Sequence, residues 1–105
     1  PMEHTNQQGL LPLLRRIREV YPDKDVWCFT GYDFDKDVKG RMLLTWPETR
    51  EFLSYIDVLV DGPFIEELKS VALRFKGSSN QRTIDVQASL KAGETILMEG
   101  YQENA

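Results

Sequence analysis

One cysteine, Cys28, and one histidine, His4, are all that 105 residues contain of the two side chains that most often hold metals. They cannot complete a zinc site, which takes about four ligands, and a lone cysteine makes no internal disulfide and suits a reducing cytoplasm. A serine nucleophile needs a base, and His4 stands in a loose N-terminal segment, which argues against a Ser–His pair at Ser78 or Ser79. The seven glycines are scattered, and neither a Gly-x-Gly-x-x-Gly nor a Walker loop is present. No apolar run approaches the roughly 20 residues that span a bilayer. Acidic residues outnumber basic ones, 17 to 13. The formal net charge of −4 provides no general attraction to nucleic acid or an anionic membrane, so any anion site is local.

What is present describes one ordinary globular α/β domain, 41% hydrophobic and 29% charged. Leu10, Leu13, Leu14, Ile17, Val20 and Tyr21 recur at helical spacing, and Pro12 fits only a first turn, which predicts a helix from about Leu11 that Pro22 ends. Residues 25–30 read as a strand with Cys28 buried between Trp27 and Phe29. A polar segment over 33–40 allows one short helical turn. Pro47, Glu48 and Thr49 then open a second helix, with Phe52, Leu53 and Ile56 on its apolar side. A strand over 57–60 stops at Asp61-Gly62-Pro63. A short helix over 65–71 follows, then extended segments over 73–76 and 83–86 around a Ser-Ser-Asn-Gln turn. Residues 88–92 are ambiguous, and the polar tail from Glu99 is expected to fray.

Strand, helix and strand joined by short links predict a mainly parallel sheet. Parallel strands would bring Thr30-Gly31-Tyr32 and Asp61 to one carboxyl edge, outside which ligands bind. Asp61 then has two readings, contact with a ligand or cation and capping of the following backbone. Asp57 is expected to end the preceding helix or pair with a base. The loop Gly77-Ser78-Ser79-Asn80-Gln81-Arg82 suits a backbone nest for a carboxylate or phosphate, with Arg74 and Arg82 as charge partners; the plainer reading is a hairpin turn between 73–76 and 83–86, and the two can hold together. Asp33, Asp35 and Asp37 alternate as in a calcium loop, but Val38 and Leu44 stand where that loop needs glycine and glutamate. Two or three parallel strands leave open edges, so the chain is expected to be a single incomplete domain cut from a larger sheet. Its start at Pro1 fits either methionine removal or a shortened chain.

Asp61-Gly62-Pro63-Phe64 followed by Arg74-Phe75-Lys76-Gly77-Ser78-Ser79-Asn80-Gln81-Arg82, with Tyr21-Pro22-Asp23-Lys24-Asp25-Val26-Trp27 before them, resembles the activating proteins of anaerobic ribonucleoside-triphosphate reductase. These belong to the radical S-adenosylmethionine enzymes. The resemblance implies the C-terminal portion of a partial (β/α) barrel, S-adenosylmethionine and a [4Fe–4S] cluster as cofactors, and the reductase as partner. It places Thr30, Gly31, Tyr32 and Asp61 near the cofactor or a cation, and Arg74, Ser78, Ser79, Asn80 and Arg82 toward cofactor or reductase. The three-cysteine motif that holds the family's cluster is missing, which implies that this chain alone is inactive. Its open sheet edges also allow a homodimer. A free-standing interaction module that binds a protein through the loop 74–82 is the alternative.

Overall fold

The computed structural model describes residues 1–70, 73 and 75–101. Helix α1 spans His4–Val20, seven residues longer at its start than periodicity predicts, with Pro12 inside it. The proline removes one backbone donor and crowds the Gln8 carbonyl, a defect of about 3 kcal/mol that packing must offset. The turns before it are anchored by a polar residue that an apolar pattern overlooks. Gln7 is fully buried; its amide donates to the Met2 carbonyl at 2.8 Å and accepts from the Thr49 hydroxyl at 2.7 Å.

Strand β1 (Trp27–Phe29) is shorter than expected, and Cys28 is buried on it. A π-helix then runs over Phe34–Met42 where one short turn was expected. Asp33 caps it, accepting from the Lys36 N–H, while Asp37 accepts from the Asp33 N–H, each at 2.8 Å. Its wider turn keeps residues four apart on one side, and Phe34, Val38 and Met42 are all fully buried. Gly40 lets this turn close, since a Cβ there would stand 2.9 Å from the Asp35 carbonyl oxygen. One turn of α-helix, α2 (Leu43–Thr45), continues it, and α3 (Pro47–Ser54) opens on proline as expected.

Strand β2 (Val58–Asp61) is buried at every position, and β3 (Arg82–Asp85) lies beside it. The sheet order is β1-β2-β3. β1 and β2 are parallel, with Trp27 opposite Val58 and Phe29 opposite Val60; β2 and β3 are antiparallel, with Asp61 opposite Arg82. The architecture is mixed α/β, and the mainly parallel sheet expected from the sequence is corrected to one parallel and one antiparallel pairing. The expected hairpin is replaced for the same reason. A strand buried on both sides needs partners on both edges, so β3 pairs back onto β2, and Ser78 bridges to Lys69 instead. The helix expected over 65–71 is one 3₁₀ turn, Glu66–Leu68, and Val71 and Ala72 lie outside the described residues.

Helix α4 (Val86–Ala92) settles the ambiguous segment. Asp85 caps it by accepting the Ala88 N–H at 3.0 Å, and Gly93, at φ +74°, ends it in the left-handed region. Residues 96–98 cover the outer edge of β3, through Asp85 N–H to the Ile96 carbonyl (2.9 Å) and Met98 N–H to the Thr83 carbonyl (2.8 Å). Among the described strands, β1 alone keeps an open edge. The inward residues of the sheet, Cys28, Leu59 and Ile84, pack against Leu11 and Leu14 of α1, Phe52 and Leu53 of α3, and the buried side of the π-helix. Among the described residues, no helix is long and apolar enough to cross a membrane.

Two arginine ion pairs tie α1 to the elements beside it. Arg18 donates to Asp57 at 2.6 Å, and the same Asp57 oxygen accepts the Val26 N–H at 2.8 Å, which aligns the starts of β1 and β2. Pairing with a base is one of the two roles expected of Asp57. Arg15 grips Glu51 with two hydrogen bonds of 2.6 and 2.9 Å, and the Tyr55 hydroxyl adds a third. These bonds, that from Arg15 foremost, hold the Glu51 carboxyl well below the ordinary carboxylate value of 4.5, at about 2. A depressed folded-state value stabilises above the unfolded value and is lost as pH falls through the folded one. The Glu51 side-chain carbon resonance should therefore titrate near pH 2, and Arg15→Ala should raise the midpoint toward the ordinary carboxylate range but short of it, because the Tyr55 hydroxyl still donates.

Candidate functional site

Because β1 and β2 run parallel in this register, their carboxyl ends finish side by side. The Thr30 N–H donates to the Val60 carbonyl and the Gly62 N–H to the Tyr32 carbonyl, both at 2.9 Å. The Tyr32 N–H reaches the Thr30 hydroxyl at 3.2 Å. Thr30, Gly31, Tyr32 and Asp61 thus form one rim, as strand polarity predicts. Their exposure differs: Thr30 and Asp61 are buried, Tyr32 is half-buried, and Gly31 stands open with nothing near the position of an added Cβ.

Asp61 is the centre of the rim. Its Oδ2 accepts the Phe34 N–H at 2.7 Å and an Arg82 Nη2 proton at 2.5 Å, and its Oδ1 accepts from Arg82 Nε at 3.1 Å. Asp61 thus caps a backbone donor of an earlier segment instead of the backbone that follows it, and joins this to a two-pronged ion pair. Arg82 also donates to Asp35 at 2.9 Å and lies 3.9 Å from Asp33. Hydrogen bonding to Asp61, and then to Asp35, holds the guanidinium firmly protonated. Asp35 is held below the usual carboxylate range, first by the Thr95 hydroxyl that donates to it and then by Arg82. The three alternating aspartates therefore serve as a helix cap, a cap partner and an arginine ligand. No group of three or more metal-binding side chains occurs among the described residues.

The loop 77–82 folds onto this rim. Ser78 is fully buried; its hydroxyl accepts the Ile65 N–H at 3.1 Å and donates to Asn80 at 2.5 Å. Asn80 donates to the Pro63 carbonyl at 2.8 Å. Ser79 is exposed, and its N–H donates to the Leu68 carbonyl. The backbone nest exists in a form that sequence reasoning missed. The N–H groups of Gly77 and Ser78 both point at Gln81 Oε1, at 2.8 and 3.2 Å, and the Gln81 amide donates to the Gly62 carbonyl at 2.9 Å. The side-chain oxygen of the loop's own glutamine thus takes the position expected for an anion. Arg74 lies outside the described residues. Thr95 is the member of the site that the sequence pattern does not signal, because it reaches Asp35 from 60 residues away. Asp35 stands out in the sequence only through the alternation of aspartates, and Gln81 only as part of the loop 77–82.

Over residues 1–84 the sequence matches the family described as the 4Fe-4S single cluster domain. The chain belongs to that family. It is also similar to proteins named anaerobic ribonucleoside-triphosphate reductase-activating protein. The Haemophilus influenzae relative is 41% identical over 81 residues, which cover 77% of this chain and 47% of the relative. Those of Vibrio cholerae and Escherichia coli are 40% and 38% identical with the same coverage. The chain therefore spans about half the length of the curated relatives it matches. No solved structure matches it significantly.

The residues present do not fit the cluster that names the family. A [4Fe–4S] cluster is held by several thiolates, and this chain has one cysteine. Cys28 moreover faces the core from the middle of β1, and burial pushes its thiol up to about 11, so it is neither accessible nor ionised near neutrality. Two results should follow. Cys28 should resist a thiol reagent at pH 8 until denaturant unfolds the chain. Arg82→Ala, which strands a carboxylate that is 2% exposed, should lower the unfolding free energy by about 3 kcal/mol in urea titrations, with Arg82→Lys recovering part of it.

Proposed function

We propose that this chain is the C-terminal portion of a radical S-adenosylmethionine activase for anaerobic ribonucleoside-triphosphate reductase, and that it supplies part of a partial (β/α) barrel. The carrying observation is the likeness to the named activating proteins, combined with a parallel strand pair whose tips share one rim. In this reading the chain's task is to shape the crevice for S-adenosylmethionine, while residues outside these 105 hold the cluster. Gly31, Tyr32 and Ser79 offer the accessible surface, and Thr30, Ser78, Asn80, Asp61 and Arg82 fix its shape.

The chemistry these residues perform is positioning. Asp61 and Arg82 neutralise each other inside the rim, so neither is a free acid or base. Their pairing locks the start of the π-helix to β2 and β3, and a crevice wall built this way loses little entropy when a ligand binds. The open edge of β1 is where the remaining barrel strands, or a second copy of the chain, would pair. Alone, the chain generates no radical.

A chimera tests the reading. Residues 1–84 should replace the matching segment of the Haemophilus influenzae relative with retention of the glycyl-radical signal on the reductase, measured by electron paramagnetic resonance. Arg82→Ala in the chimera should reduce that signal severalfold. A folded chimera with no signal contradicts the assignment, and tight binding of the reductase by the isolated chain in that case favours the interaction module.

A further inference from the structure

A π-helix of nine residues is rare, and π-turns occur frequently at functional sites. Here the winding redirects one side chain. Arg41 follows Phe34 by seven residues, about two turns of an α-helix, so α winding would set it on the buried line of Phe34. The wider turn places Met42 on that line instead, and Arg41 is exposed. Its guanidinium carbon stands 5.9 Å from the centre of the Tyr32 ring and 5.5 Å from that of Trp46. Both rings are half-buried and pack against the core. The His4 ring lies flat on Trp46 at 4.5 Å, and His4 in turn bonds Glu48 at 2.8 Å. Since Tyr32 belongs to the rim, two anchored rings hold Arg41 as a cation beside it.

Rings engage the faces of a guanidinium and leave the N–H donors in its plane available. Among the described residues Arg41 makes no hydrogen bond and no ion pair, and the Tyr32 hydroxyl beside it has no hydrogen-bond partner. The carboxylates of its own helix and of the elements around Trp46 and His4 are engaged elsewhere. Asp33 accepts from the Lys36 N–H, Asp35 from Arg82 and Thr95 with Lys39 near it, and Asp37 from the Asp33 N–H. Glu48 accepts from His4 and Gln8, and Glu3 from Asn6 while it pairs with the N-terminus. Of the two guanidinium groups that touch rim residues, Arg82 is neutralised by Asp61 and Asp35, and Arg41 keeps its donors. We propose that Arg41 is an oxyanion-binding residue. Its in-plane donors receive two oxygens, from a carboxylate or a phosphate, of a small ligand seated on the rim beside the open Gly31. A chain of net charge −4 attracts no anion in general, so the fixed fork does the selecting. The inference deepens the reading of the rim as a ligand crevice and takes from it only the place of the ligand.

The test titrates the full chain with inorganic pyrophosphate and, separately, with malonate, using sodium chloride at equal ionic strength as the blank. At least one of the two anions should shift the Arg41 Nε–H and Gly31 amide resonances saturably, and the tighter one identifies the oxyanion as phosphate or carboxylate. Arg41→Gln should weaken binding about tenfold. Arg41→Lys keeps the charge without the fork and should recover only part of it. Arg50→Gln, which removes another exposed arginine, should leave binding unchanged. Arg41 and Arg50 are both exposed, so the variants should keep the fold, as circular dichroism will report. No saturable shift with either anion, equal affinity in Arg41→Gln, or an equal loss in Arg50→Gln would overturn the inference. The chimera separates this outcome from the functional reading. A folded but silent chimera beside saturable anion binding removes the activase assignment alone, whereas an active chimera with no anion binding removes the role of Arg41 alone.

Discussion

The Asp61–Arg82 pair joins two strands and the π-helix at one point. Asp61 ends β2 and Arg82 begins β3, so the pair closes the antiparallel register from one end. The second Asp61 oxygen holds the first N–H of the π-helix, and Arg82 reaches on to Asp35 within it. A charge buried in this way is tolerable only when partner and hydrogen bonds are both supplied, and here one carboxylate receives three. Strand, counter-strand and helix therefore each supply a partner that this buried carboxylate needs.

From this constraint the character of the rim follows. Polar groups that look free in the sequence are already engaged: the Thr30 hydroxyl with Tyr32, Ser78 with Ile65 and Asn80, and Gln81 with Gly77, Ser78 and Gly62. Such an arrangement orients a surface without offering a reactive group. It is consistent with a chain that belongs to a cluster-binding family and itself has a single, buried thiol.

Elements whose signal is local were legible in the sequence. Pro47 marks the start of α3, and the aliphatic run ending in Asp-Gly-Pro marks β2 and its carboxyl end. The shared rim of Thr30 and Asp61 needed only the rule that parallel strands end together. The failures have a common cause. The early start of α1 depends on Gln7, whose burial is made possible by Met2 and by Thr49, 42 residues away. The π-helix depends on Asp61 receiving its first donor, and β3 chose β2 over a nearby hairpin partner because a central strand must be paired on both edges.

Composition and pattern alone determined that the chain mixes helices with strands, that its lone cysteine cannot hold a cluster, and that two strand tips carry polar residues toward one edge. The tertiary structure decided what those polar residues do. A carboxylate next to a strand end reads the same whether it awaits a ligand or an arginine. The choice depends on which distant donor the fold brings within about 3 Å, a distance that sequence spacing does not encode.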